Sequence, residues 1–324
     1  MRAVQVHTLG SPRDLVYAEV TLPTPGAGEI ALDVHAAGVN FPDALMVQGK
    51  YQVKPPLPFT LGVEVAGVVT AVGLDVHDIR VGDRVAALPK SGGFAESALA
   101  GAYSAVVLPP AVDFVTAAGM LMTYGTAYHG LVDRGRVREG ERLGVTGAGG
   151  GVGTAAVDIG RALGARVIAI VGSEAKREAA LHAGAVHAIV ADGELPATLK
   201  SVAGGLDALL DNVGGDVFDA SLRAMEWNGR VLIVGFAGGR IPEIPANRLL
   251  LRELEAVGVY WGPWVERRPA HNRANFAAMF EMMAAGTLHP HVHARYAFDD
   301  VPLAMEAMLE RQLVGKAVIV VRGA

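Results

Sequence analysis

The sequence has no cysteine. That excludes disulfides and every metal site built on thiolate, and it suits a reducing compartment, so a cytoplasmic location is expected. Aromatic residues are scarce at 6% and charged ones make up only 19%, whereas 51% of residues are hydrophobic and 41 of the 324 are glycine. Such a chain is not disordered. It suits an α/β protein with many tight turns, and its length suggests about two domains. There is no long basic run and no aromatic–basic alternation, and the net charge is −5, so nucleic acid is not an expected partner. The opening MRAVQVHTLG lacks a charged-then-apolar leader. No G-x-S-x-G elbow of a serine hydrolase occurs, and nothing suggests two opposed hydrolytic carboxylates. The longest stretch without Asp, Glu, Lys or Arg is Phe114–Val132, 19 residues that include Thr116, Thr123, Thr126 and His129. It is too polar for a membrane span and reads as a buried helix beside a ligand site; no membrane association is expected.

What is present falls into two textures. The first third reads as short strands cut by Gly and Pro, with candidates at Ala3–His7, Leu15–Val20, Ile30–Ala36, Val65–Val72 and Val106–Leu108. From about residue 112, strand-like runs alternate with helical patterns. Leu143–Thr146, Arg166–Val171, Ala188–Val190, Ala208–Leu210, Arg230–Val234 and Ala256–Tyr260 are the strand candidates. Val152–Leu163, Ala175–His182, Ala197–Val202, Phe218–Met225 and Leu249–Leu254 are the helices between them. This alternation argues for right-handed βαβ units, a doubly wound parallel sheet with helices on both faces. Farther on, Asn275–Ala285 and Val301–Arg311 look helical, and Arg295–Phe298 and Ala317–Val321 look like strands that could return to the first domain.

The strand Leu143–Thr146 runs into Gly147-Ala148-Gly149-Gly150-Gly151-Val152-Gly153, and a helix follows. A strand, a glycine turn and a helix N-terminus together present backbone N–H groups to a pyrophosphate, so the loop reads as a dinucleotide cradle. Aligned on Gly150 and Gly153, the first position of G-x-G-x-x-G is Ala148, so it is the context that carries the reading. NAD-binding units usually have an acid at the tip of the second strand. Here that strand ends Val171-Gly172 and continues Ser173-Glu174-Ala175-Lys176-Arg177, with no acid at its tip. A Ser hydroxyl and a Lys ammonium can hold a ribose 2′-phosphate, which favours NADPH. Alternatively, Ser173 is a helix cap with solvated cations behind it, or Glu174 meets the ribose hydroxyls of NAD.

Gly62-Val63-Glu64-Val65-Ala66-Gly67, with Gly73 and Val76, matches the zinc alcohol dehydrogenase pattern G-H-E-x-x-G-x-x-x-x-x-G-x-x-V except that the zinc-binding His is Val63. The segment that carries the zinc-binding Cys corresponds to Gly38–Asp43, where Asn40 stands. A catalytic zinc of that type has no ligand set here, and no metal is expected. Together with Gly92-Gly93-Phe94-Ala95-Glu96, Thr123–Tyr128, Gly150–Gly153, Asp211–Gly215 and Val234–Gly238, these segments make the chain resemble the zinc-independent, zeta-crystallin-like quinone oxidoreductase branch of the medium-chain dehydrogenase/reductase superfamily over essentially its whole length.

That resemblance implies a GroES-like, mostly β catalytic domain (1–122 and 262–324) wrapped around a Rossmann domain (123–261), with NADPH in the cleft and a homodimer as the assembly. It places Asn40 and Thr126 near the nicotinamide and Gly150, Gly151 and Val152 on the pyrophosphate. Gly172, Ser173 and Lys176 fall at the 2′-phosphate, and Asn212, Phe236 and Ala237 at the cofactor's edge. Relatives often have a Tyr near the adenine where this chain has Ala191. Met46–Tyr51 looks like the segment that carries the catalytic Tyr of enoyl thioester reductases, which makes Tyr51 either the proton donor or a pocket wall.

The expected reaction is reduction of a quinone or another conjugated carbonyl. NADPH supplies hydride, and the protein must align it and accommodate charge on oxygen. An enone or enoyl-thioester reductase is the alternative, for which Arg248, Arg252, Arg267 and Arg268 are candidate thioester-side cations; an NADPH-binding structural or regulatory protein is a third reading. His289-Pro290-His291-Val292-His293 reads as a solvated strand edge rather than a metal site. Val259–Trp264 reads as interface, pocket or core, and Asp43 and Glu64 as isolated acids.

Overall fold

The computed structural model describes residues 1–323, which group by their contacts into two compact units. One unit holds Met1–Met122, Arg268–Arg273 and His291 onward; the other holds Thr123–Arg267 and Ala274–Pro290. Among the described residues no helix is long and apolar enough to cross a membrane.

The first unit is mostly β. Its larger sheet runs in the order Val292–Ala297, Lys316–Val320, Glu29–Val39, Val65–Val72, Arg84–Ala87 and Val106–Val107, with Ser97–Gly101 pairing on Glu29–Val39. Glu29–Val39 is central and carries few exposed positions, which is why its sequence reads as a near-continuous apolar run. Ile30, Leu32, Leu61, Phe94 and Ile319 fill the core around it. The C-terminal strand does return to this unit. It pairs antiparallel with the central strand, Ala317 opposite Val39 and Val320 opposite Ala36. That register sets Lys316 beside residue 40. Two elements escape the sequence pattern. Phe41–Val47 is a helix that the sequence pattern did not show. Pro42 falls in the first helical turn, where its missing N–H costs nothing. Ser97–Gly101 is a strand whose Ser, Ala and Gly content gives little β signal.

The second unit is a six-stranded, all-parallel sheet in the order His187–Val190, Arg166–Val171, Arg142–Thr146, Leu206–Asp211, Met225–Ile233, Glu255–Gly258. In chain order within the unit this is 3-2-1-4-5-6, the doubly wound arrangement with a switch point between the first and fourth strands. Helices Gly151–Ala162, Glu174–His182, Leu195–Ala203, Gly215–Leu222 and Ala246–Arg252 make the crossovers. The fourth ends at Leu222 rather than the expected Met225, because Met225 already begins the fifth strand. Helix Gly151–Ala162 buries Ala155, Ala156, Val157 and Ile159, small and branched residues that let it lie close to the sheet.

Candidate coenzyme site and a buried polar cluster

The glycine turn leaves the first strand of the parallel sheet at Thr146, beside the switch point. Gly147 takes a left-handed φ of 61°, and the Gly150 N–H donates to the Gly147 carbonyl at 2.9 Å. Helix Gly151–Ala162 then begins with Gly150 as its N-cap, and no side chain caps it. The first-turn amides are therefore left for a ligand, as an anion cradle requires. The close approach is strict: a Cβ on Gly153 would stand 2.1 Å from the Gly147 carbonyl oxygen.

Two side-chain groups frame this turn. At the tip of the second strand, Gly172 and Ser173 are exposed, and Ser173 holds the N-cap position of helix Glu174–His182 without making a side-chain capping bond. The capping role expected as one reading of Ser173 is thus not taken up. Glu174 is ion-paired with Arg177, whose Nε also donates to the Ala188 carbonyl at 3.1 Å. The stem of Lys176 lies against Gly149; a Cβ there would meet the Lys176 Cβ at 2.5 Å. On the other side, the fourth strand is tied to the first. The Thr146 hydroxyl donates to Asp211 Oδ1 at 2.5 Å and accepts from the Asn212 N–H at 3.0 Å. Asn212 Nδ2 donates to the Thr146 carbonyl at 3.0 Å. Asp211 is buried, which raises its pKa, and its carboxylate also accepts from the Gly214 N–H at 2.9 Å. The Ala237 N–H donates to the Asn212 carbonyl at 3.1 Å, which folds Phe236 and Ala237 over that corner, with Phe236 39% exposed. The sequence singles out Asn212 as a site residue and shows Asp211 only as part of the same segment; that Thr146 and Asp211 hold Asn212 comes from the structure.

Thr126 lies half-buried on helix Phe114–Tyr128. Nearby in the second unit, Trp261 is buried with its ring against Gly125, and Trp264 tilts over His129 at 4.2 Å. His129 Nδ1 meets Asp133 Oδ2 at 2.8 Å, and Asn275 Nδ2 donates to the same oxygen at 2.9 Å. The two tryptophans are thus built into this unit, while Tyr260 is 70% exposed.

The first unit contains a buried polar cluster, which corrects the reading of Asp43 and Glu64 as isolated acids. Asn40 Nδ2 donates to Glu64 Oε2 at 2.8 Å and to the Gly38 carbonyl at 3.2 Å. Lys316 Nζ donates to Asn40 Oδ1 at 2.6 Å and to Glu64 Oε2 at 2.7 Å. The Met122 N–H donates to Glu64 Oε1 at 2.6 Å. Lys316 and Glu64 are 4% and 0% exposed, so the pair is desolvated and its charges must cancel locally. The Asn40 N–H donates to Asp43 Oδ2 at 2.9 Å. Burial pushes the Asp43 carboxyl up to about 7, with this backbone bond and the Lys316 ammonium opposing the shift. The cluster fixes the start of helix Phe41–Val47. Tyr51 follows this helix, half-buried with its ring packed on the unit's core.

His291 and His293 meet edge to face at 4.5 Å, and His293 Nδ1 accepts from the Lys316 backbone N–H at 3.3 Å. Burial holds the His293 pKa below its ordinary value. Among the described residues no three His, Asp or Glu side chains are grouped to hold a metal ion.

Residues 26–132 match the alcohol dehydrogenase GroES-like domain family, and residues 151–284 match the zinc-binding dehydrogenase family. The chain is 36% identical over 309 residues to quinone oxidoreductase-like protein 2 of Mus musculus, covering 94% of this chain and 88% of the relative. It is similar to a mycobacterial protein solved in complex with NADPH, at a TM-score of 0.92 and 29% identity over 99% of this chain and 100% of that one. The Escherichia coli quinone oxidoreductase complexed with NADPH superposes at a TM-score of 0.89 with 27% identity, over 99% and 100% of the two chains. The zinc in the second family's description does not fit the residues present. Val63 offers no lone pair, no cysteine exists, the Asn40 amide is spent on its neighbours, and the Glu64 carboxylate already carries the Lys316 ammonium.

Proposed function

Since the chain belongs to the quinone oxidoreductase branch of the medium-chain dehydrogenase/reductase superfamily, an enzyme family, we propose that it uses NADPH to reduce quinones, without a metal electrophile. The observation that carries this reading is the tip of the second strand. It has no acid, a Ser hydroxyl not spent on capping, and a Lys whose stem rests on the phosphate turn. In this reading Ser173 and Lys176 hold the 2′-phosphate, with Gly172 leaving room for it. The amides of Gly151 and Val152 face the pyrophosphate, and Gly150, its own N–H spent on Gly147, lets the backbone approach it closely. Asn212, Phe236 and Ala237 border the coenzyme's edge, and Thr126 borders the nicotinamide. The pairing of Glu174 with Arg177 also speaks against a ribose-diol reading.

Bound NADPH supplies a hydride to a conjugated acceptor. The chain must bind and orient the coenzyme and bring a proton to the oxygen that gains charge. Tyr51 is assigned as the donor of that proton for enones. A quinol oxygen spreads its charge over the ring and takes its proton from water. Asn40 has its amide committed to Gly38, Glu64 and Lys316, and it serves here to hold the helix that leads to Tyr51. The wider expectations of a homodimer and a cytoplasmic setting belong to the same reading.

The test is coenzyme consumption by the purified protein across small quinones, enones and acyl thioesters. NADPH should be oxidised by quinones at least about tenfold faster than NADH, the discrimination expected from about 1.4 kcal/mol of 2′-phosphate binding. Tyr51→Phe should lower enone turnover and leave quinone turnover nearly unchanged. Preference for NADH, or turnover of thioesters alone, would overturn the assignment.

A further inference from the structure

The parallel sheet binds its coenzyme, in the reading above, at the carboxyl ends of its strands. A second recess lies at the amino ends. Its volume is about 270 Å³, and it is lined by residues at or near the starts of the first, fourth, fifth and sixth strands, among them Glu141, Asp207, Arg230 and Glu255. It is therefore distinct from the glycine turn.

The charges in this recess balance except at one place. Asp207 is held in a fork by Arg142, with Nε and Nη2 donating at 2.9 and 2.7 Å. Glu141 takes Arg230 in the same way, at 2.5 and 3.1 Å. Glu255 is paired with Arg136 at 2.5 Å. Arg138 also lines the recess, and its guanidinium has no partner among the described residues. Arg230 Nε is buried with no acceptor. Trp227 lines the recess too. It is 62% exposed, and its ring has no aromatic or hydrogen-bonding partner among the described residues. A large indole left in water beside an uncompensated cation is the kind of surface that a binding site explains. The two loops that present these side chains each hold a non-glycine residue in left-handed backbone, Arg136 at φ 51° and Asn228 at φ 60°. Such conformations cost energy and cluster at binding sites.

The chemistry of the ligand follows from the same residues. One free guanidinium fits one carboxylate. With the three carboxylates already paired to arginines, a single positive charge is left over, which matches one carboxylate and does not neutralise a dianion or a polyphosphate. The volume lies below the usual range for drug-sized ligands, about 300–1,000 Å³, which excludes a nucleotide and suits a single ring. We propose that this recess is a second binding site, separate from the coenzyme site, for a small aromatic monocarboxylate, its ring on Trp227 and its carboxylate on Arg138.

The experiment is a calorimetric titration of the full-length protein with benzoate, alongside benzamide and inorganic phosphate. Benzoate should bind saturably at one site per chain, with benzamide and phosphate at least about tenfold weaker. Trp227→Leu and Arg138→Gln alter exposed side chains, so each should keep the parent melting temperature and weaken benzoate by about tenfold or more, the loss of one stacking or charge-assisted contact. A third variant, Lys176→Ala, which removes a cation of the proposed coenzyme site without altering the turn, should bind benzoate like the parent. Absence of saturable benzoate binding, equal binding to Trp227→Leu and Arg138→Gln, equal binding of phosphate, or loss of binding in Lys176→Ala at an unchanged melting temperature would each overturn the proposal.

Discussion

The two units fix polar groups in place by opposite means. In the second unit the groups that matter are backbone amides, held by a turn with almost no side chains. In the first they are side chains: Lys316 and Glu64 with opposite charges, Asn40 bridging both, and Asp43 with its carboxyl raised to about 7 by burial. A backbone device fails when an atom is added. A side-chain device fails when an atom is taken away.

The most damaging way to test that contrast is Gly153→Val. The added carbons have no room beside Gly147, so NADPH affinity should fall by at least about 100-fold in a fluorescence titration. Next comes Lys316→Met, which strands the Glu64 carboxylate. Leaving one member of a buried pair costs about 3–5 kcal/mol, and urea unfolding should register it. Adding Glu64→Gln should recover part of that loss; no recovery would mean the charges do not compensate one another. Lys176→Ala should raise the Kd for NADPH by about tenfold and leave that for NADH unchanged, since it removes one cation without altering the turn.

The smallest effect concerns Asp43. Its carboxyl titrates near 7 in the fold, above its ordinary 3.8. The stability it contributes is therefore complete below about 3.8 and is lost as pH rises through about 7. Asp43→Asn removes that loss, so its melting temperature should gain on the parent's between pH 5 and pH 8. A gap between the two that does not change with pH would contradict the raised carboxyl.

The same contrast decides what could be read from the sequence. The glycine turn is a local device: Gly147 to Gly153 and Ser173 to Lys176 announce themselves within a few residues, and Arg166–Val171 and Val65–Val72 stand as strands where expected. The buried cluster is assembled by strand register. Residue 316 meets residue 40 because Ala317 pairs with Val39, across more than 270 positions of chain, and no local pattern encodes that pairing. Glu64 was visible as part of a motif, yet its partner was not. Helix Phe41–Val47 was hidden by Pro42, a residue that breaks helices everywhere except in their first turn.

The packing of Lys176 on Gly149 reaches beyond the turn itself. Because the aliphatic stem of Lys176 rests on Gly149, the 2′-phosphate role proposed for Lys176 would make the choice between phosphorylated and unphosphorylated coenzyme depend partly on an atom that is missing. Any larger residue at 149 would push the lysine aside while every group able to touch the extra phosphate stayed in the sequence. Selectivity for the coenzyme is then written partly at a position that would never contact the feature it selects.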